Sequence, residues 1–345
     1  MRWKVGGALI SAILVAAFLA SGMPVPGAAP VSPEGAEWRQ EYRRPAVIPF
    51  PDTNPYSAEK AALGRLLFFD PIFSASRTLS CATCHNPGLS WGDGRALALG
   101  EAHEDMALRS PTLLDVAWMP KLGWDGKFRD VESVAFAPIT AAANMNLPET
   151  TLMARLAQIP GYVDAFEAAF GADGISRRTI ELALATYERT IVAKDAPFDR
   201  WIEGDGGAIS DAAKRGFDLF RGKARCAACH SGFAFSDGSF HDIGTASGSD
   251  VGRGRFFPNS IKLQYAFKTP TLRDVARRAP YMHDGSIPTL SAVIDLYDKG
   301  GIERQSRSEL IRPLGLTDAD RVDLLAFLQT LTGAPRTVDV PTLPR

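Results

Sequence analysis

Cysteine is scarce in this chain and is confined to two Cys-x-x-Cys pairs, with 4 cysteines among 345 residues. Each pair is followed directly by histidine, which argues against the structural disulfides that exported proteins often use. An excess of one charge is also lacking, because 38 basic and 39 acidic residues give a formal net charge of -1. That balance gives no indication of nucleic acid or an anionic membrane as a partner. Sustained alternation of apolar and polar residues is missing, so the sequence predicts no extended sheet.

The N-terminus has the three parts of a secretory signal peptide. Arg2 and Lys4 form a short positive region, residues 5–20 are an apolar run, and small residues at 27–29 offer a cleavage site. We therefore predict a signal peptide over 1–29 and a mature chain with no stable membrane insertion. A retained anchor is the alternative, since about 20 apolar residues span a bilayer. No cysteine follows the run, which excludes a lipidated cysteine as the anchor.

The two halves of the chain repeat each other. Residues 109–117 (RSPTLLDVA) recur as 268–276 (KTPTLRDVA), and Trp124 and His283 open the same turn at the same separation of 159 positions. The two Cys motifs are 145 positions apart, so the second half carries 14 extra residues before its Pro-Thr-Leu motif. Such self-similarity marks a duplicated unit.

Each Cys-x-x-Cys-His motif is typical of covalent haem c attachment, in which the thiols bind the haem and the histidine ligates its iron. A redox dithiol would need a βαβ context, which is missing. A zinc site would need one tetrahedron of ligands rather than motifs far apart in matching halves. We predict two covalently bound haem c groups, at Cys81, Cys84 and His85 and at Cys226, Cys229 and His230.

Helical signals dominate the chain. An N-cap residue precedes each of four apolar stretches: Ser57 for a helix to Leu67, Ser176 for one to Val192, Ser210 for one to Phe220, and Thr317 for the last. A helix before the Cys motif and another near the end of the domain look like the cytochrome c fold. We predict an all-α protein with two tandem cytochrome c-like domains, at 45–205 and 206–335, packed around the two haems.

The second axial position of each haem iron separates electron carriers from enzymes, because an enzyme leaves one position open. At the repeat separation of 159 positions, Tyr297 in the second half falls opposite Pro138 in the first. Tyrosine can ligate haem iron as phenolate, whereas proline has no group that could. The alternative for Tyr297 is an aromatic residue of the core.

Seven short motifs distinguish the chain: 68–71 (FFDP), 80–85 (SCATCH), 124–126 (WDG), 196–201 (APFDRW), 222–232 (GKARCAACHSG), 267–273 (FKTPTLR) and 279–285 (APYMHDG). In these motifs the mature chain resembles the di-haem bacterial cytochrome c peroxidases, and within that family the MauG branch. Ordinary peroxidases of the family have methionine at the position of Tyr297, and the MauG branch has tyrosine. The resemblance implies that Tyr297 and His230 ligate a six-coordinate haem and that His85 alone holds the reactive one. It also implies a periplasmic location.

The resemblance assigns a role to Trp124 as well. In relatives the matching tryptophan lies between the haems and carries electrons or holes across, whereas a tryptophan in a glycine-rich turn is otherwise a packing residue. His283, its partner in the repeat, lies beside the second haem in relatives. A structural histidine is the alternative there.

The chain departs from the family where peroxide cleavage needs a distal acid-base group. Relatives supply a glutamine and a glutamate near Pro138, and those places here hold Val134 and Asn144. Neither can act as an acid, although Asn144 could hydrogen-bond a bound oxygen species. The nearby loop offers four titratable side chains as substitutes: Glu101, His103, Glu104 and Asp105.

His103 has three interpretations. In ordinary peroxidases of the family a histidine of this loop ligates the resting haem and swings away on reduction, whereas the MauG branch lacks it. Allowing one deleted residue before Ser110, His103 falls at that place. It is a gating ligand, a distal base or an exposed loop residue.

Relatives also bind calcium between the domains. The backbone carbonyls of Arg278 and Pro280 match two ligand positions, and Ser110 stands where the family has asparagine. A serine hydroxyl can still ligate calcium directly or through water. The resemblance therefore implies one calcium ion.

Three functions remain open at this point. The first is a MauG-like oxidase, in which hydrogen peroxide reacts at the His85 haem, the second haem shares the oxidation through Trp124, and Trp or Tyr residues of a partner protein lose electrons. The second is a cytochrome c peroxidase that draws electrons from a small cytochrome c. Tyr297 argues against it, because phenolate ligation lowers the haem potential. The third is a non-catalytic electron carrier or haem sensor, against which Pro138 argues.

Overall fold

The computed structural model describes residues 33–335 and 337–345, and the predicted signal peptide lies outside them. Helix dominates this part of the chain, which confirms the predicted fold class. Its two strands form a single antiparallel pair, β1 (Phe240–His241) with β2 (Phe267–Lys268). The helices are α1 (Pro33–Tyr42), α2 (Ala58–Phe69), α3 (Cys81–Cys84), α4 (Val131–Ala135), α5 (Ala137–Thr140), α6 (Glu149–Ala157), α7 (Pro160–Phe170), α8 (Arg177–Arg189), α9 (Pro197–Ile202), α10 (Asp211–Arg221), α11 (Leu290–Lys299) and α12 (Asp318–Gln329).

The four predicted N-caps begin α2, α8, α10 and α12. In each case the side-chain oxygen of Ser57, Ser176, Ser210 or Thr317 accepts a hydrogen bond from a backbone N–H in the first turn, which satisfies an otherwise unpaired donor. Helix α8 ends at Arg189 rather than at Val192. Among the described residues, no helix combines the length and apolar character needed to span a bilayer.

The same helix crossing organises both halves. Helix α2 packs on α8, and α10 packs on α12. A Cβ added to Gly64 would lie 2.0 Å from the carbonyl oxygen of Ala183, and one added to Gly216 would lie 1.9 Å from that of Asp323. Only glycine lets the two backbones approach so closely. Each half therefore has the crossed pair of helices expected of a cytochrome c-like domain.

The internal repeat is also a structural repeat. Asp115 and Asp274 both adopt a positive φ, of 60° and 55°, and each begins a short 3-10 turn. Asp130 and Thr289 are the N-caps of α4 and α11. Both pairs are separated by the 159 positions of the repeat. The two halves therefore share one backbone path through the region that follows each Cys motif.

Reciprocal hydrogen bonds join the two halves. The N–H of Arg109 donates to the carbonyl of His283 at 2.9 Å, and the N–H of Lys268 donates to the carbonyl of Trp124 at 2.7 Å. Arg109 and Lys268 are partners in the repeat, as are Trp124 and His283. The halves therefore meet across a pseudo-twofold axis, as two copies do in a symmetric dimer.

Two hydrophobic cores lie on either side of this interface, and short segments cross between them. The first core is formed mainly by α2, α6, α7 and α8, and the second by α9 to α12. Tyr42, from α1, packs in the second core with Phe198 from α9. Val338, near the C-terminus, packs against the first core. The predicted division at 205/206 therefore falls between α9 and α10, although α9 packs with the second core.

Candidate functional site

The first Cys motif presents a neutral histidine. The motif forms α3, which His85 follows directly. Nδ1 of His85 lies 3.2 Å from the carbonyl oxygen of Trp91. Because a carbonyl only accepts, Nδ1 carries the proton of this bond and Nε2 keeps its lone pair. Burial lowers the pKa of His85, so the imidazole is in the neutral form that ligates a metal.

The second Cys motif repeats this arrangement. It forms a 3-10 turn at Cys226–Ala228, and Nδ1 of His230 lies 2.8 Å from the carbonyl oxygen of Phe235. Burial lowers the pKa of His230 as well. Both motifs therefore fix one ring nitrogen on a backbone carbonyl and leave the other free to ligate iron.

The four cysteines of the two motifs form no disulfide bond with one another. Burial raises the pKa of Cys84 to about 11 and that of Cys226 to about 12. A redox dithiol needs a thiol whose pKa is lowered, so that thiolate forms near neutral pH. The environment of the pairs therefore does not fit a dithiol redox centre.

The positions of Pro138 and Tyr297 differ in backbone as well as in side chain. In the second half α11 runs without a break through Tyr297. In the first half the equivalent stretch is divided into α4 and α5 at Phe136, and Pro138 lies in the first turn of α5. Proline lacks the N–H that a continuous helix needs. The same difference thus removes the tyrosine side chain and divides the helix that would carry it.

Tyr297 lies beside the second Cys motif. Burial raises its pKa, and the neighbouring thiols of Cys226 and Cys229 raise it further. Those electrostatic interactions put the phenol within reach of the second motif. Such a phenol is neutral by itself and becomes phenolate only when a cation such as ferric iron stabilises the charge.

The loop of residues 99–105 closes over the first motif. The carbonyl oxygen of Leu99 lies 4.0 Å from Sγ of Cys84. The N–H of Glu101 donates to the carbonyl of Asn144 at 2.6 Å. His103 sits at the exposed tip of this loop, with a φ of 58°. The structure therefore brings the loop to the first motif but leaves the His103 side chain in solvent.

Pro138 and Asn144 belong to one turn of backbone. The N–H of Met145 donates to the carbonyl of Pro138 at 3.1 Å, so Asn144 is held close to Pro138. Val134 is half-buried in α4. The structure thus holds Asn144 near Pro138, whereas Val134 packs against a separate cluster that contains Val131 and Ala185.

Trp124 lies in the interface between the halves. Its indole N–H donates to the carbonyl of Arg109 at 2.9 Å. Its ring meets that of His283 edge to face, with centroids 6.5 Å apart. His283 is 2% exposed, stacks on Phe267 at 3.7 Å, and contacts Asp250 through Nε2 at 2.7 Å. A continuous aromatic contact therefore leads from Trp124 into the second half.

The three residues predicted to bind calcium lie in the same interface, but the predicted ligand oxygens of two of them, Arg278 and Ser110, are engaged. The carbonyl of Arg278 accepts a hydrogen bond from Nη2 of Arg109 at 2.6 Å. The hydroxyl of Ser110 donates to the carbonyl of Cys84 at 2.7 Å. A guanidinium on a ligand carbonyl repels a divalent cation, so Ser110, Arg278 and Pro280 do not fit a calcium site here.

Two cationic side chains with little access to water, those of Arg278 and Lys268, fit the presence of haem. Nε of Arg278 is buried and has no hydrogen-bond partner in the described part of the chain. Burial lowers the pKa of Lys268 to about 8, which is the cost of a cation held away from water. The propionates of a haem are the kind of anion that such groups require.

Sequence reasoning missed Glu188, which is buried in α8. Burial raises its pKa to about 8, and it acts electrostatically on Cys81 of the first motif. A carboxyl that is largely protonated at neutral pH can donate a proton. Its place, one residue before the Arg189 that pairs with Glu132, shows no distinguishing signal in the sequence.

A second group missed from the sequence lies beside the second motif. Ligand atoms of Cys229, Asp237 and His241 lie within 4.8 Å of one another, and Nε2 of His241 is 2.7 Å from Asp237. When Cys229 is bound to haem as a thioether, its sulfur is no longer a thiolate ligand. The histidine and aspartate then form an ion pair beside the haem attachment site.

Two cytochrome c-like halves, each with an attachment motif and a positioned histidine, define a di-haem c-type cytochrome. The family model for di-haem cytochrome c peroxidase matches residues 58–207, and that for cytochrome c matches residues 213–332. The chain belongs to the di-haem cytochrome c peroxidase/MauG family. It carries two haem c groups and is a peroxide-dependent, MauG-like oxidoreductase.

Individual relatives agree with this assignment. The methylamine utilization protein MauG of Methylorubrum extorquens is 48% identical over 90% of this chain and 88% of the relative. The cytochrome c551 peroxidase of Nitrosomonas europaea is 31% identical over 86% of this chain and 87% of the relative. The crystal structure of a MauG-like protein associated with microbial copper homeostasis has a TM-score of 0.78 and 30% identity, covering 84% of this chain and 94% of that one.

Proposed function

We propose that this protein uses hydrogen peroxide at a haem held by Cys81, Cys84 and His85, and oxidises Trp or Tyr residues of a partner protein by long-range electron transfer. The second haem, held by Cys226, Cys229 and His230, takes Tyr297 as its other ligand. The observation that carries the proposal is the paired difference between Pro138 and Tyr297. One half offers a ligand on a continuous helix, and the other offers no ligand at a point where the helix is interrupted.

The haems supply the redox chemistry with peroxide, and the side chains of this chain prepare the two sites for it. His85 and His230 are held in the ligating tautomer by backbone carbonyls. Asn144 offers a hydrogen-bonding group near Pro138. Glu188 offers a proton near Cys81 of the first motif. Trp124 provides an aromatic step between the halves, and its ring contacts the ring of His283 edge to face.

Two finer proposals accompany this function. Because residues 1–29 have the pattern of a signal peptide and the family resemblance implies a periplasmic location, we place the mature protein in the periplasm. We retain 45–205 and 206–335 as the two domains. The calcium ion that the resemblance implied is not part of this proposal, because the Arg109 guanidinium is bound to the Arg278 carbonyl.

A cytochrome c peroxidase that draws electrons from a small cytochrome c is the second candidate. The likeness to cytochrome c551 peroxidase supports it, and so does the half-buried Trp124 route into the second half. An exposed His103 does not favour it, since a gating ligand must reach the iron. Oxidation of a partner protein by peroxide, as against oxidation of reduced cytochrome c, separates the two functions.

The test is the electron paramagnetic resonance spectrum of the ferric holoprotein, before and after one equivalent of peroxide. We expect one high-spin and one low-spin signal, both lost on peroxide addition. Tyr297→Phe should replace the low-spin signal by a second high-spin signal. The matched control is Tyr281→Phe, which removes a buried phenol that donates to the Val275 carbonyl and should leave both signals in place. Two low-spin signals that do not change on peroxide addition would contradict an open coordination position at the first haem.

A further inference from the structure

Arg109 is the residue through which the two halves are most closely tied. It is 8% exposed. Its backbone N–H donates to His283 at 2.9 Å, and its backbone carbonyl accepts the indole N–H of Trp124 at 2.9 Å. Its guanidinium donates to the carbonyls of Arg278 at 2.6 Å and Arg95 at 3.2 Å. One residue thus contacts both partners of the Trp124 and His283 ring pair and spans the interface.

Two arginines, Arg109 and Arg278, meet at this place. The carboxylate of Asp93 acts electrostatically on Arg109, and those of Asp274 and Asp115 act on Arg278. A divalent cation would meet a guanidinium on its ligand carbonyl rather than a free oxygen.

We propose that the guanidinium of Arg109 performs between the two halves the task that family resemblance assigned to calcium. It is a permanent cation, supplied by the chain, that binds the Arg278 carbonyl and so positions Trp124 against the second half. Guanidinium is charged at every physiological pH and cannot be chelated. Only the positioning of Trp124 for charge transfer rests on the proposed function; the replacement of calcium does not.

The first measurement is the calcium content of the holoprotein after purification without added calcium. We expect well below one calcium per chain, and a thermal midpoint that neither a chelator nor millimolar calcium changes. One calcium per chain, lost to the chelator together with stability, would overturn the proposal. Because both readouts ignore activity, they hold even if the partner protein or the reaction has been assigned wrongly.

The second measurement uses Arg109→Asn, which removes the guanidinium and offers an amide oxygen, a ligand that calcium accepts. We expect the thermal midpoint to fall by about 3–8 °C, since a charge-assisted hydrogen bond is lost from the interface. Electron exchange between the haem sites, followed by stopped-flow absorbance, should slow by about 10- to 100-fold. Millimolar calcium should restore both in Arg109→Asn and change neither in the wild-type protein.

The matched control is Arg155→Ala, because the Arg155 guanidinium also holds backbone carbonyls, those of Ile72 and Ser74 at 2.8 and 2.6 Å, but within one half. It should lower the midpoint without slowing electron exchange and without any response to calcium. If Arg109→Asn matches this control in thermal midpoint, rate of electron exchange and response to calcium, Arg109 does not position Trp124. If Arg109→Asn does not fold, Arg109→Gln replaces it, since it also removes the cation and keeps an amide oxygen. An unchanged rate of electron exchange in that variant, or one calcium per chain in the wild-type protein, would count against the proposal.

Discussion

At the scale of single residues, the two haem sites differ at pairs of equivalent positions. Pro138 and Tyr297 are equivalent positions of the repeat, as are Trp124 and His283. Trp124 also contacts its own partner, because the pseudo-twofold axis passes between the two rings. Residues at this axis serve both halves at once. A change there acts on communication between the sites before it acts on either site alone.

Replacing Trp124 by phenylalanine tests this separation. Phenylalanine is far harder to oxidise than tryptophan, so we expect oxidation of the partner protein to fall by about tenfold or more, as for other misplaced catalytic groups. The reaction of the first haem with peroxide should keep its rate. Stopped-flow absorbance and a product assay measure the two steps separately. Trp118→Phe is the control, since Trp118 also packs across the interface, on Phe233 with centroids 5.0 Å apart; an equal loss there would contradict a special role for Trp124.

At the scale of helices, the crossings of α2 with α8 and of α10 with α12 set the geometry of each half. A Cβ at Gly64 would lie 2.0 Å from a backbone oxygen, and neither helix can shift without disturbing the core. Helix α2 also contacts α3, which carries the first Cys motif. Stability of the crossing and position of the haem attachment site are therefore linked.

Gly64→Ala should destabilise the protein by about 1–3 kcal/mol or more, the range for an overpacked core. Gly206→Ala is the control, because nothing lies within 4 Å of a Cβ built there, and it should be neutral. Thermal unfolding of the holoproteins measures both. Equal midpoints for the two variants would mean that the helices separate more easily than their packing indicates.

Many of the helix boundaries can be predicted from the sequence, and the exceptions have physical causes. The N-caps at Ser57 and Thr317 are local signals, so they predict helix starts correctly. The end of α8 is not local, because Asp115 accepts the N–H of Ala193 and Ile191 accepts that of Asp115, drawing the chain out of the helix. The contact of Arg109 with Arg278 joins two residues that are far apart in sequence, and no local sequence pattern predicts it.

At the scale of the whole molecule, each half contains a buried pair of a carboxylate and an arginine. Glu132 pairs with Arg189 at 2.6 Å, and Asp242 pairs with Arg304 at 2.6 Å. Burial by itself would raise the pKa of Glu132 and of Asp242, but hydrogen bonds, chiefly from these arginines, outweigh it and lower both. A lowered pKa in the folded state contributes stability above the unfolded value, about 4.3 for Glu, which is lost as the pH falls through the folded value.

Glu132→Gln should therefore change the pH dependence of unfolding as well as its midpoint. We expect a loss of about 3–5 kcal/mol at neutral pH, because Arg189 is left buried without its partner. The midpoint should then fall less steeply than that of the wild-type protein between neutral pH and the acid limit. Glu149→Gln, which removes a half-exposed ion pair with Arg177 at 3.5 Å, should cost about 1 kcal/mol or less. Thermal unfolding over a series of pH values measures these effects. If the midpoints of the wild-type protein and both variants change with pH in parallel, the lowered pKa of Glu132 does not contribute to stability.

The reciprocal hydrogen bonds of Arg109 and Lys268 have an evolutionary consequence. A homodimer made from one gene must place the same residue at both equivalent positions, so it cannot hold a ligand at one haem and an opening at the other. Joining the two copies in one chain removes that constraint while keeping the symmetric contact. Under the proposed function, fusion lets one copy specialise in reacting with the oxidant and the other in holding charge.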